Sequence, residues 1–133
     1  MNHRRKRIQF RAQNGQTMTE FALVLPLLAL LLFGVIQFGI AFNNYITLTD
    51  AVRAGSRKAA VARHLQNREK HVDTAVRAAA TDLKSSDLQV EVESTWQSGE
   101  DVRVSASYPY SISLLGVVVK SGRMTSETTE RVN

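Results

Sequence analysis

The chain has 133 residues, enough for one small domain and too few for two, and its lack of cysteine excludes a disulfide framework, a thiol nucleophile and a cysteine zinc site. Lys and Arg number 17 and Asp and Glu 12, a formal +5, yet five of the cations (Arg4, Arg5, Lys6, Arg7 and Arg11) precede Gly15 and no acidic residue does. From Gln16 onward the count is 12 against 12, so the basic excess belongs to a short leader, which argues against nucleic acid as a partner of the folded part.

Phe21 to Phe42 is a run of 22 residues without a formal charge, in which Gln37 is the only strongly polar member. As a helix it reaches about 33 Å, the thickness of a bilayer core. Pro26, Gly34 and Gly39 lie inside the run, and both residue types are better tolerated in membrane helices than in soluble ones. A chain this small could hardly cover such a helix on every side. The flanks set an orientation. The leader is cationic, and after the run the next cations are Arg53, Arg57 and Lys58. The positive-inside rule therefore predicts a cytoplasmic N-terminus and an outer C-terminal domain. A secretory signal cut after Gly39-Ile40-Ala41 is the competing interpretation. Against it stand the length of the run, a polar region of about 20 residues before it, and Glu20 directly at its edge.

Immediately before the run stands Gly15-Gln16-Thr17-Met18-Thr19-Glu20-Phe21. Cleavage after Gly15 would make Glu20 the fifth residue of the mature chain. A basic leader ending in Gly, Glu at mature position five and then an apolar helix resemble the type IV prepilins. The Glu20-Phe21 pair and short leader are similar to the Tad (Flp) branch. Glu20-Phe21-Ala22-Leu23-Val24-Leu25-Pro26 looks like the opening motif of TadE-like minor pilins (pseudopilins), and Ala51-Val52-Arg53-Ala54-Gly55-Ser56-Arg57-Lys58-Ala59-Ala60 resembles that family's alanine-rich segment. Gln16 departs from the Phe or Met common in the type IVa branch. The resemblance implies a processing site at Gly15, Gln16, Glu20 and Phe21, with prepilin peptidase as the enzyme acting on it. It also implies other Tad pilins and pseudopilins, the inner-membrane assembly platform and membrane lipid as partners.

Each residue of that segment has a chemical reason. A membrane protease must take an extended backbone, and Gly15 leaves the bond open to close approach. The basic leader is drawn to an anionic inner surface. Cleavage creates an ammonium on Gln16, about 6 Å of helical rise from Glu20, which answers it in the same subunit or a neighbour. An ionised carboxylate at the edge of hydrocarbon favours finding a partner. Pro26 removes one N–H and frees the carbonyl of Ala22, which predicts a kink or local unwinding.

Beyond the run no proline interrupts Asn43 to Leu65, so the first helix is expected to continue, with Tyr45, Leu48, Val52 and Ala59 near one face. Ala51, Gly55 and Ala59 recur at four-residue spacing, a small-residue stripe that lets another backbone approach, from a second helix or from another subunit. Arg53, Arg57 and Lys58 read most simply as a solvated face, with docking of acidic partners as the sharper alternative. Gln66-Asn67-Arg68 is a plausible break in which Asn67 caps the next helix. Val72, Val76, Ala79 and Leu83 predict an amphipathic helix over Arg68 to Lys84, folded back on the first.

Leu88, Val90 and Val92 alternate with polar residues as a half-buried strand does. Ser98-Gly99-Glu100-Asp101 signals a turn, and Val102, Val104, Ala106, Tyr108 and Tyr110 alternate again, predicting a hairpin whose loop is a little longer than two residues. Leu114 to Val119 suits either a strand or a membrane-proximal loop. Met124 to Val132, rich in Thr, suits an edge strand.

His64 and His71, with Glu69 and Asp73 nearby, match no metal-enzyme spacing, and no phosphate loop or nucleophile elbow occurs. Trp96 and Tyr108-Pro109-Tyr110 read as core or hairpin-face aromatics. The expectation is an α+β chain: a leader (1–15), a transmembrane and assembly helix (16–42) and a periplasmic domain (43–133) with a second helix and a small antiparallel sheet of about three strands. With the resemblance, it implies a non-enzymatic, cofactor-free and metal-free minor pilin of the inner membrane, incorporated in a pilus or priming one. Glu20, Pro26, Ala51, Gly55, Arg57 and Ala59 are the candidate assembly and helix-packing residues. The alternative is a permanent single-pass scaffold with a periplasmic interaction domain.

Overall fold

The computed structural model describes residues 6–133, with side chains from residue 14 onward. The architecture is α+β. Two helices, α1 (Lys6–Ala60) and α2 (Arg68–Ala79), are followed by three strands, β1 (Gln89–Ser94), β2 (Asp101–Leu114) and β3 (Val117–Arg131). The chain divides into two units, one ending at Ile36 and the other running from Gln37 to Asn133.

The first unit is helical throughout its described length. Its apolar side chains are exposed on every side, with Leu23 at 75%, Leu27 at 66% and Val35 at 62%. The most apolar 18-residue window of the helix has a mean hydropathy of 2.6, and none of it is buried. A helix apolar all round needs an apolar surrounding that this chain does not itself supply, which fits a single-pass membrane anchor. The helix runs on through Pro26, so of the kink or local unwinding that the sequence suggests, the unwinding does not occur. A proline withdraws a single rung from the ladder, and the remaining rungs hold the helix together.

In the second unit, α1 contributes a stripe of fully buried residues that begins at Leu48 and continues with Ala51, Val52, Ser56 and Ala59. Ser56 is the polar member, and its hydroxyl donates to the Arg53 carbonyl at 3.0 Å. Tyr45, expected on this face, is 45% exposed, because the cover over α1 begins one turn later, at Leu48. The helix stops at Ala60, five residues short of Leu65. Its last turn tightens as Ala62 N–H bonds the Ala59 carbonyl at 3.1 Å, and Asn133 N–H takes the Ala60 carbonyl at 2.9 Å. Arg57 and Lys58 in this last turn complement the helix dipole.

Asn67 occupies the cap position of α2 in the left-handed conformation (φ 54°), and its side chain makes no capping bond. The expected side-chain cap is therefore replaced by backbone geometry alone: the Asn67 carbonyl accepts from His71 N–H at 3.2 Å. Val72 and Val76 point into the core. The helix ends at Ala79 instead of reaching Lys84. Leu83 still reaches the core, but on a turn closed by its own N–H to the Ala80 carbonyl at 3.1 Å. Arg77 ties helix and turn together, through Nε to both Asp73 carboxylate oxygens at 2.9 and 3.0 Å and through Nη1 to the Ser85 carbonyl at 2.6 Å.

The strands form an antiparallel meander in the order β1-β2-β3, so β3 is an edge strand as its composition suggests. The core face of β2 is Val102, Val104 and Ala106, fully or almost fully buried. Burying each valine contributes about 1.5–3 kcal/mol. The loop from β1 to β2 spans residues 95–100, longer than the near-minimal connection expected, and both Trp96 (φ 59°) and Gly99 (φ 84°) are left-handed within it. Backbone bonds pin this loop to the chain end: Gly99 N–H to the Val132 carbonyl at 2.8 Å and Val132 N–H to the Glu100 carbonyl at 2.9 Å. The apolar run Leu114 to Val119 proves to be a hairpin tip. Leu115 (φ 50°) and Gly116 (φ 82°) turn the chain between the paired Leu114 and Val117, as a two-residue type I′ turn requires. As a result β3 begins seven residues before Met124, and a register shift at Ile112/Ser113 leaves Val119 as the extra residue of a bulge.

Candidate functional site

The candidate processing segment lies in the first unit, on one continuous stretch of α1. Gly15 is helical, and a Cβ built on it meets nothing within 4 Å. Glycine costs about 1 kcal/mol relative to alanine in a helix interior. No packing in the described residues requires that cost. The Gly15 carbonyl, which belongs to the peptide bond joining it to Gln16, also accepts the Thr19 hydroxyl at 2.9 Å. One residue further on, the Gln16 side-chain Nε2 donates to Glu20 Oε1 at 3.2 Å. The carboxylate is thus already engaged by residue 16 one turn back. Glu20 and Phe21 are exposed within the chain. Of the leader cations, Arg4 and Arg5 lie outside the described residues, and Lys6, Arg7 and Arg11 are described by their backbone alone.

The second group of candidates divides. Ala51 and Ala59 are fully buried, and Gly55 lies between them in the core. A Cβ on Gly55 would collide with Val76 Cγ2, and Val104 Cγ1 and Val72 Cγ1 would lie 3.4 and 3.6 Å away. Of the two partners open to this stripe, α2 occupies it, with β2 completing the enclosure. The stripe is therefore filled by the chain's own fold. Arg57 is exposed and has no ion-pair partner among the described residues, whereas Arg53 pairs with Asp50 at 3.7 Å. Pro26 stays within the exposed apolar helix.

Several of the remaining polar and aromatic residues have structural partners. His64 Nε2 lies 3.2 Å from Arg63 Nη2, Asp73 is held by Arg77, and no group of three or more potential metal ligands occurs among the described residues. Trp96 packs half-buried against the core, with the Arg68 guanidinium 5.7 Å from its ring centre. Tyr108 accepts Lys84 N–H at 3.2 Å on its hydroxyl, and the Tyr110 ring lies over Gly122 on the paired strand. The Thr19 contact leaves no mark in the sequence, since a hydroxyl four residues after a glycine carries no signal until the helix is known to be continuous.

Residues 15–57 match the family model described as TadE-like protein. The chain is TadE-like over this segment, in agreement with the resemblance carried by the same residues, and the match supports a Tad pilus-associated, pilin-like protein. No curated protein and no solved structure matches the chain.

Proposed function

We propose that this chain is a minor pilin, or pseudopilin, of a Tad (Flp)-type pilus assembly and secretion system. It enters the inner membrane with its leader in the cytoplasm and its α+β unit in the periplasm. Prepilin peptidase cuts the bond after Gly15, and the shortened chain joins a pilus or primes one. Its role is structural, as the substrate of an enzyme. The observation that carries this reading is the TadE-like match beginning at Gly15, the residue on which the basic leader ends.

The geometry lends support in two ways. The bond after Gly15 is helical, so a protease must open one turn to extend it, and glycine makes that opening easier than alanine would. Gln16, which would carry the new ammonium, already reaches Glu20 through its side chain. Cleavage keeps that side-chain contact and adds an ammonium on the backbone nitrogen of the same residue, and an ion pair at the edge of hydrocarbon is worth more than one in water. A neighbouring subunit's ammonium has the same attraction for Glu20, which is how the pair would set the offset between subunits. Loss of the leader removes five cations and leaves the remainder formally neutral apart from its termini, easing withdrawal of the helix from an anionic surface.

Intact-mass measurement of the chain purified from its native host tests the proposal. Loss of 15 residues is expected. An uncut chain would indicate a permanent membrane scaffold, and loss of 41 residues a secreted domain.

A further inference from the structure

The tip of the β2–β3 hairpin exposes an apolar cluster that the fold of the second unit does not use. Leu115 is 74% exposed, Val117 67%, Val118 59% and Val119 62%. Tyr108 is the last residue of β2 packed against the core, seven positions before Leu115, so the tip stands up to about 23 Å along the strand from it. Strand alternation, which separates apolar from polar residues lower in the hairpin, breaks down here. Leu114 and Val117 are cross-strand partners on one face of the ribbon, Val118 pairs with Ser113 on the other, and the Val119 bulge adds a fourth apolar side chain next to them.

Apolar residues on both faces of a two-stranded ribbon distinguish the possible occupants. A protein groove covers one face and leaves the other wet. An apolar medium that surrounds the tip covers both, at about 25 cal/mol per Å² of apolar surface removed from water. Charge points the same way. From Val104 to Ser126 the hairpin carries Lys120 and Arg123 and no acidic residue, and neither cation forms a salt bridge among the described residues. Lys120 pairs with Ile112, just beyond the apolar cap, where a lysine stem lies along apolar surface while its ammonium reaches headgroups. The chain also supplies the surface. Only Asn43 to Thr47 separate the end of the apolar run from Leu48, so a helix anchored in a bilayer keeps the second unit at a high effective concentration beside it.

We propose that the Leu114–Val119 tip inserts into the headgroup boundary of an anionic bilayer, as a second and shallow membrane contact of the anchored chain. Depth is limited by the backbone. The outward-facing N–H and C=O groups of a two-stranded ribbon have no partners in hydrocarbon, so insertion stops where water still reaches them. The consequence for assembly is that withdrawing the subunit releases two contacts, and the tip becomes free to meet other subunits only after it leaves the lipid.

The inference rests on anchoring by α1, and one experiment separates the two. The chain has no cysteine, so a single introduced cysteine carries an environment-sensitive fluorophore without background. Full-length protein labelled at Val118→Cys, at Leu32→Cys in the apolar helix, or at Gln97→Cys in the β1–β2 loop is reconstituted into vesicles of phosphatidylglycerol and phosphatidylcholine, with brominated lipid as quencher. The expected result is a blue shift, bromolipid quenching and loss of iodide quenching at position 118 and at position 32, with neither change at 97. Tip insertion should weaken in pure phosphatidylcholine and in Leu115→Asp. An aqueous, iodide-accessible probe at 118 beside a lipid-quenched probe at 32 overturns the inference while anchoring stands, and failure at both positions overturns both. Shielding at 118 that depends on protein density without bromolipid quenching assigns the tip to contact between copies and also overturns it.

Discussion

Gly55 and Val76 meet where α1 packs on α2: the volume that a Cβ on residue 55 would require is already filled by Cγ2 of the valine. The valine is fully buried and β-branched on a helix, so it has little freedom to move aside. Gly55→Ala should therefore destabilise the folded unit even though alanine is the better helix former. Overpacking costs about 1–3 kcal/mol and the propensity gain returns about 1 kcal/mol, leaving a net loss on the order of 1 kcal/mol. Trp96, the single tryptophan, packs against the core and reports the unfolding midpoint of the full chain in detergent. Adding Val76→Ala should cost less in the Gly55→Ala background than in the wild type, because it relieves the collision.

Gly15 is the contrasting glycine. Space around it is open, so Gly15→Ala should leave the Trp96 unfolding transition unchanged. Under the proposed function its effect falls on processing: the variant should accumulate as a full-length, membrane-bound precursor. Normal shortening by 15 residues in this variant, read by intact mass, would count against the glycine junction.

Glu20 tests the charge pairing. Glu20→Ala removes the acceptor of the Gln16 side-chain amide and, under the proposed function, of the ammonium that cleavage would create. Processing should survive better than assembly, so the shortened chain should be found in the membrane fraction and depleted from sheared filaments. Incorporation at the wild-type level would remove the pairing role.

Tyr108→Phe isolates one hydrogen bond in the second unit. The phenol accepts the Lys84 N–H at 3.2 Å and so links β2 to the turn after α2. Its loss should lower stability by about 0.5–1.5 kcal/mol, measured by denaturant unfolding. A wild-type midpoint would mean that water satisfies Lys84 equally well.

The sequence conveys some of this architecture and misses other parts for identifiable reasons. Val102, Val104 and Ala106 are legible as a buried strand face because a period of two is local. The same is true of Val72 and Val76 on α2. The end of α2 is not legible. Leu83 continues the helical spacing, yet a turn delivers it to the core, since Arg77 and the Ser85 carbonyl make the turn as well bonded as another helical rung. Asn67 shows a similar limit: its side chain is suited to a cap, but the link from α1 places it in the left-handed region, where the backbone alone starts the helix.

Composition and spacing were enough for the apolar span and the strand alternation, since each depends on residues close together along the chain. Three-dimensional packing was needed to assign the Ala51-Gly55-Ala59 stripe to α2 instead of another subunit, and to turn Leu114 to Val119 into an exposed tip. Both depend on which distant segments exclude water from which side chains, and no local pattern of residues carries that information.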